Sequence, residues 1–393
     1  MTIAIFSVAD TLSGGNFRNL NVLKFFPEDE YILLMPKNRK EALMNNLKKF
    51  IQSSYELYQV VERAFELKNY NCKTITCFIK YGYYVSKVAE KLNADLLYFP
   101  NEHAYLALGF RMNSVPWTEL LQLTPVVGAL TLEDDFGFRL FAKNMYANFG
   151  YNSFKIIRSY VRFLLFSLSI RNTPVLSVSR SIPYELNKLG VRADIKVLSP
   201  SFGIDPCPYS FFEKKYDLVF FARITPEKGI FEFLKIVNYV RKKTNIRAVV
   251  MGFSEKEMSD KVISFAKNLG ILENLEFKFN VPRSQTKQIL ASAKLMIYPT
   301  KLDSFSLTVL ESLSCGTPVI AYNIPAIRFN YRDTKSVIKI KPLSISEMVK
   351  TILDLLENEG WKELSKDAIQ FTEPFKWENA AKAELKMLHS LVE

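Results

Sequence analysis

The stretch YDLVFFARITPEKGIFEF, Tyr216 to Phe233, runs from a short apolar segment through two cations and a Pro-Glu turn to a glycine, then into residues of helical spacing. Strand, loop and helix start follow each other without a break. The same alternation continues downstream: strand Asp217–Ala222, helix from Gly229, strand Arg247–Met251, helix 255–269, strand 274–278, helix 283–292 and strand Leu295–Tyr298. Parallel strands need a crossover between them, and strands buried on both faces read as continuous apolar runs, so this rhythm predicts a parallel sheet covered by helices.

The rhythm is also present upstream. Candidate strands are Ile3–Ala9, Tyr31–Met35, Asp95–Phe99, Pro125–Leu130 and Pro174–Ser179, with helical spacing over 40–66 and 83–92. Between the two halves, SPSFGIDPCPYS (199–210) breaks the pattern with three prolines and a glycine. The fold class is therefore α/β with two Rossmann-like parallel-sheet domains. Residues 1–203 form the first, 204–374 the second, and 375–393 a terminal helix returning to the first. Two such sheets are expected to leave a cleft at the carboxyl ends of their strands, where ligands bind.

Composition narrows the partners. The 393 residues are 48% hydrophobic and 23% charged, which excludes a disordered chain. Two histidines exclude a multi-histidine metal site, and four cysteines without a CxxC pair argue against zinc and for a reducing compartment. Cys315 reads as a small buried hydrophobe. The formal charge is +12, with 24 Lys/Arg against 17 Asp/Glu in residues 1–203. Such an excess suits a phosphate, a nucleic acid or an anionic membrane, or nothing beyond a solvated surface. MTIAIFSVAD reads as a first strand, and YVRFLLFSLSI (160–170) is too short to span a bilayer and carries Arg162. A cytoplasmic protein is expected, with peripheral contact to a membrane as an option. Lys37, Arg39, Lys40, Lys48 and Lys49, followed by Phe50 and Ile51, fit either a membrane-resting helix or a solvated face. Arg158, Arg162 and Arg171 are interleaved with Phe and Leu in 154–171.

Three segments carry the chemistry. In PTKLDSFSLTVLESLSCGTPVIA, Pro299 to Ala321, a buried strand enters a loop with Asp303 and Ser304, either of which can cap the following helix. The amides of Phe305, Ser306 and Leu307 would then form an anion site. Glu311 follows about two turns into the helix, and an acid there suits a hydroxyl-rich ligand. The same spacing also fits an ordinary capped helix with an exposed glutamate. Arg223 and Lys228, bracketing the turn before Gly229, suit a diphosphate, or are two loop charges. Ser13-Gly14-Gly15-Asn16 follows the first strand and allows close backbone approach to a phosphate or sugar, or is a plain turn. His103 and Glu133 stand at strand ends and are candidates for acceptor contact.

Taken together, FARITPEKG, DSFSLTVLESLSCGTPVIA, LSVSRSIPYELNKLG with SPSFGID, and PFKWENAAKAELKML resemble the retaining glycosyltransferases of family 4, which have the GT-B fold. The resemblance implies that Arg223 and Lys228 hold a donor diphosphate and that Asp303 contacts the transferred sugar. It implies that Glu311 accepts from ribose hydroxyls, that Phe305, Ser306 and Leu307 offer amides, and that Gly15 lies near the donor phosphate. No metal and no cofactor beyond the nucleotide-sugar are implied. Four positions depart from the family pattern: Asp303 stands for the usual glutamate, Ser304 and Ser306 for glycines, and Leu132, followed by Glu133, for a histidine often found after the fifth strand.

The leading expectation is a retaining, metal-independent transfer of a hexose-type sugar from a nucleotide-diphosphate sugar to a glycan, glycolipid or lipid-linked acceptor. The alternatives are a non-catalytic sugar-nucleotide-binding subunit and a sugar-nucleotide epimerase of the same fold. Nucleic acid is not an expected partner, since only the net charge favours it.

Overall fold

The computed structural model describes residues 1–11, 14–48, 51–123, 153–208 and 213–393. They form two compact units, one of the residues up to Gly203 with Phe375–Glu393, the other of Ile204–Pro374.

The first unit holds seven parallel strands: β1 (Ile3–Phe6), β2 (Tyr31–Pro36), β3 (Phe65–Leu67), β4 (Leu96–Phe99), β5 (Trp117–Leu121), β6 (Val175–Ser177) and β7 (Ile195–Val197). Their order is β3-β2-β1-β4-β5-β6-β7. Every residue of β1 and β4 is buried, as helices on both faces require. The order reverses between β1 and β4, which pair through Ile5 and Tyr98. Segments leaving β1 and β4 therefore diverge there and open a crevice at the carboxyl ends.

The fifth strand corrects the sequence reading. It is Trp117–Leu121, WTELL, and Pro125–Leu130 lies outside the described residues. The central Glu119 breaks the apolar run that would have marked the strand. β3 and β7 were also unmarked, each three residues long with exposed positions.

The helix Trp377–His389 belongs to the first unit and packs on Gly14–Leu23. Trp377 meets Phe17 edge to face, ring centroids 5.9 Å apart. Beneath them Arg18, Glu384 and Tyr98 form a buried network: Arg18 and Glu384 are ion-paired, and the Tyr98 hydroxyl donates to Glu384 at 2.7 Å.

The second unit is a six-stranded parallel sheet of order β10-β9-β8-β11-β12-β13. Its strands are β8 (Tyr216–Phe221), β9 (Ala248–Gly252), β10 (Leu275–Phe279), β11 (Ala293–Tyr298), β12 (Val319–Tyr322) and β13 (Val337–Ile340). Here the order reverses between β8 and β11, joined through Leu218–Leu295 and Val219–Met296.

Two further readings change. The cysteines are paired, Cys72 with Cys77 and Cys207 with Cys315, so their number no longer argues for a reducing compartment, and Cys315 is a bridge rather than a lone buried thiol. The second bridge ties the Pro-rich segment to the end of the Leu307–Ser314 helix. In the Lys37–Lys48 helix, Leu43 and Leu47 face the core while Arg39 pairs with Asp10 and Lys40 with Glu66. Those two cations are engaged within the unit, while Lys49, Phe50 and the Ile51 side chain lie outside the described residues.

Candidate active site

In the second unit the candidate residues gather where the strand order reverses. β8 ends at Phe221, and the chain runs through Arg223 and a 3-10 turn, Pro226–Lys228, into the helix Ile230–Arg241. Gly229 closes that turn at φ 84°, and a Cβ there would stand 2.1 Å from the Pro299 carbonyl oxygen. Only glycine combines that conformation with that approach. The turn is thus pressed onto the segment leaving β11, and the Lys301 amide donates to the Glu227 carbonyl at 2.9 Å.

This contact delivers Lys228 to Asp303. The Lys228 Nζ donates to Asp303 Oδ2 at 2.9 Å and to the Leu302 carbonyl at 2.8 Å. The Tyr298 hydroxyl donates to the same carboxylate oxygen, and the Ser304 amide donates to Oδ1 at 2.9 Å. Burial works against the Asp303 charge. The Lys228 ammonium and the Tyr298 hydroxyl outweigh it, so the carboxyl sits below the usual aspartate range. Burial, reinforced by Asp303, pushes the Tyr298 phenol well up. Tyr298 therefore stays a neutral donor.

The helix after this loop is Leu307–Ser314, and its N-cap is Ser306 rather than Asp303 or Ser304. Asp303 is spent on Lys228, Tyr298 and the Ser304 amide, which prevents it from reaching a first-turn amide. Ser306 adopts φ 68°, ψ 57°, a left-handed conformation that glycine adopts without cost. Its carbonyl accepts from the Val309 amide at 2.9 Å and from the Tyr331 hydroxyl at 2.8 Å, while its own hydroxyl is buried with no hydrogen-bond partner among the described residues. Phe305 packs on Tyr331. Leu307 opens the helix, and Glu311 lies half-buried a little more than one turn on. The Tyr331 phenol is pushed well up by burial and by the charges of Asp303 and Glu311. Arg223 is exposed two residues past the end of β8.

In the first unit, Gly14 and Gly15 open the helix Gly14–Leu23 at the end of β1. The space a Gly15 side chain would take is filled by the Gln122 amide, 2.1 Å from an ideal Cβ. Gln122 in turn donates to the Pro100 carbonyl at 2.8 Å and to Asn19 at 3.2 Å, so the ends of β1, β4 and β5 are bound together. His103 caps the helix Ala104–Phe110, its Nδ1 accepting from the Leu106 amide at 3.4 Å. Burial and the nearby Arg162 charge lower it to about 4, so it is a neutral imidazole at pH 7. Glu133 lies outside the described residues.

Two acids beside His103 escaped the sequence reading. Glu102 accepts from the Gln122 backbone N–H at 3.0 Å and is raised to about 7, mainly by burial. Glu119 is fully buried on β5, with neither carboxylate oxygen hydrogen-bonded among the described residues, and is raised to about 8 by burial and by Glu102. A charged residue inside an otherwise apolar strand, WTELL, was the available signal.

Residues 206–373 match the family model of the glycosyl transferases group 1. This segment is similar to the group 1 glycosyltransferases. It contains Arg223, Lys228, Asp303, Phe305, Ser306, Leu307 and Glu311. Over 211 residues the chain is 23% identical to a D-inositol 3-phosphate glycosyltransferase of Paenarthrobacter aurescens, covering 51% of this chain and 50% of that one. The chain thus spans about half the length of the curated relatives it matches. Among solved structures, sucrose-phosphate synthase from Thermosynechococcus elongatus superposes with a TM-score of 0.70 at 14% identity, over 100% of this chain and 99% of that chain. HepE of Anabaena, in complex with UDP-glucose, gives 0.65 at 15% identity, over 99% and 100%. These likenesses establish the fold, two Rossmann-like parallel-sheet domains of the GT-B class.

Proposed function

We propose that the protein is a glycosyltransferase that moves a hexose-type sugar from a nucleotide-diphosphate sugar to a glycan, glycolipid or lipid-linked acceptor, with retention and without a metal. The observation that carries this reading is the Lys228–Asp303 pair at the entrance of the Leu307–Ser314 helix, beside the unpartnered Ser306 hydroxyl. A cation, a helix N-terminus and a buried hydroxyl donor together suit a diphosphate. The match of residues 206–373 to the group 1 family and the UDP-glucose held by a structural neighbour support the same class of donor.

In this reading Arg223 and Lys228 hold the diphosphate and stabilise the charge that grows on the departing nucleotide, the electrostatic task a divalent ion performs elsewhere. The amides of Phe305, Ser306 and Leu307 add donors to that oxyanion. Glu311 accepts from the ribose hydroxyls and Asp303 from a sugar hydroxyl, with Tyr298 and Lys228 fixing its orientation. Gly15 and His103, at the crevice of the first unit, serve donor phosphate and acceptor respectively. The attacking acceptor oxygen loses its proton to the donor's own phosphate as the sugar–phosphate bond breaks, on the same face of the ring.

A thermal-shift panel of nucleoside diphosphates, with and without EDTA, tests the reading together with product analysis. Stabilisation by one nucleotide in EDTA and an α-linked product from an α-linked donor are expected. Stabilisation that requires a divalent ion overturns metal independence. Donor binding without any transfer or hydrolysis would favour the non-catalytic alternative.

A further inference from the structure

The helix Ser153–Ser169 buries one apolar face and exposes another. Phe163 and Phe166, with Ile170 just beyond the helix, form the buried face. Ile157, Val161, Leu164 and Leu168 follow the spacing of a single helix stripe and are 63%, 42%, 42% and 51% exposed. A surface helix of a soluble domain carries polar side chains at those positions. This one carries no acidic residue at all. Among its described side chains the exposed charges are Arg158 and Arg162, each next in sequence to a stripe residue, with Arg171 just past its end.

The rest of the unit holds the helix firmly. Arg111 donates from one guanidinium nitrogen to the carbonyls of Leu168, Ser169 and Arg171 at 2.9, 3.0 and 2.7 Å, closing the helix C-terminus. Among the described residues no helix is long and apolar enough to cross a membrane. An apolar stripe bordered by arginines, on a helix fixed to a body of net positive charge, is the pattern of a helix lying in a bilayer interface. The aliphatic residues enter the acyl boundary while the arginine stems run along them and their heads stay with lipid phosphates.

We propose that the exposed face of the Ser153–Ser169 helix docks the protein on an anionic lipid bilayer. Charge decides between this occupant and a second copy of the chain: a two-fold contact on the stripe would set Arg158 and Arg162 against like charges. The surface differs from the Lys37–Lys49 cluster of the sequence analysis, in which Leu43 and Leu47 are buried. The proposal does not rest on the transferase reading. It also places Arg162, which acts on His103, on the docking helix, so a lipid-borne acceptor would arrive next to the candidate acceptor residue.

The test is flotation of the full chain with vesicles of phosphatidylcholine alone or mixed with phosphatidylglycerol, with no donor or acceptor present. Binding to the mixed vesicles is expected, weaker on pure phosphatidylcholine and reduced in high salt. The Ile157→Glu/Leu164→Glu variant should lower the bound fraction roughly tenfold, and Arg158→Glu should lower binding to the anionic vesicles alone. Both variants change exposed side chains, so their melting temperatures should match the parent and separate lost docking from lost folding. Equal binding by parent and double variant at equal stability overturns the proposal. So does a parent that stays in solution, or a dimer in sedimentation that Ile157→Glu/Leu164→Glu dissolves.

Discussion

Arg18 and Glu384 form an ion pair that is closed to solvent on both sides, joining the helix after the first strand to the last helix of the chain. Burial disfavours the guanidinium charge, and the Glu384 carboxylate more than restores it. Arg18 also donates to the Ser201 carbonyl at 2.9 Å, and Tyr98 donates to Glu384. Glu384→Ala leaves a buried cation and a buried phenol without their acceptor. The expected cost is about 3–5 kcal/mol in urea unfolding of the first unit. The paired replacement Arg18→Met/Glu384→Leu removes both charges and should recover part of that loss. It cannot recover all of it, because Tyr98 and the Ser201 carbonyl remain unsatisfied. A double variant no more stable than Glu384→Ala would show that packing, not the uncompensated charge, sets the cost.

Ser306 gives a prediction of opposite sign. A non-glycine residue in the left-handed region costs on the order of 1 kcal/mol, and its buried hydroxyl has no partner in the described residues. Ser306→Gly should raise ligand-free stability by roughly 1 kcal/mol even after the greater entropy of an unfolded glycine is counted. Ser306→Ala removes only the hydroxyl and isolates its share. If that hydroxyl meets a diphosphate, both variants should bind the nucleotide more weakly while melting no earlier than the parent without it.

The Lys228–Asp303 pair separates binding from chemistry. Asp303→Asn preserves shape but releases Lys228 from its ion pair, so donor KM should hold or fall. If the carboxylate orients the sugar, kcat should drop by about a hundredfold. Lys228→Ala should instead raise donor KM and lower kcat together, since the cation serves the diphosphate in both ground and transition states. An Asp303→Asn enzyme with undiminished kcat would remove Asp303 from the reaction and leave it a partner of Lys228.

How much of this was legible in the chain can be judged residue by residue. β8, β9 and β11 could be read within two residues because they are almost wholly buried, so hydropathy alone marks them, whereas β12 and β13 were not marked. β5 hid behind Glu119, since a buried acid imitates a strand end. Lys228 and Asp303 could each be singled out, but not their pairing. That depends on Gly229 seating a turn against the Pro299 carbonyl, a contact between segments remote in sequence. Nor could the sequence show that a serine holds the left-handed cap at Ser306 where the family pattern has glycine. The cysteine pairings are likewise matters of tertiary distance, which spacing does not encode.

Glu119 supplies a pH prediction whose sign follows from its burial. Its carboxyl is raised to about 8 against an ordinary 4.5, and that of Glu102 to about 7. The folded unit therefore holds protons that the unfolded chain has already released, and the stability they represent is lost as pH rises through those values. Below about 6.5 His103 opposes this trend, because its lowered value means that the unfolded chain binds the proton first. Between pH 7 and 8 Glu119 contributes a downward slope of at most about 1.4 kcal/mol per pH unit for its single proton. Glu119→Gln keeps the volume and removes its titration, so the parent's stability should fall relative to the variant's over that range. Taking the difference between the two proteins cancels every group they share, including Lys214, which is lowered to about 8 by burial in the other unit. Urea melts of both proteins at pH 6.5, 7, 7.5 and 8 measure it. Parallel slopes would mean that Glu119 is ionised in the folded protein throughout and that a partner compensates its charge.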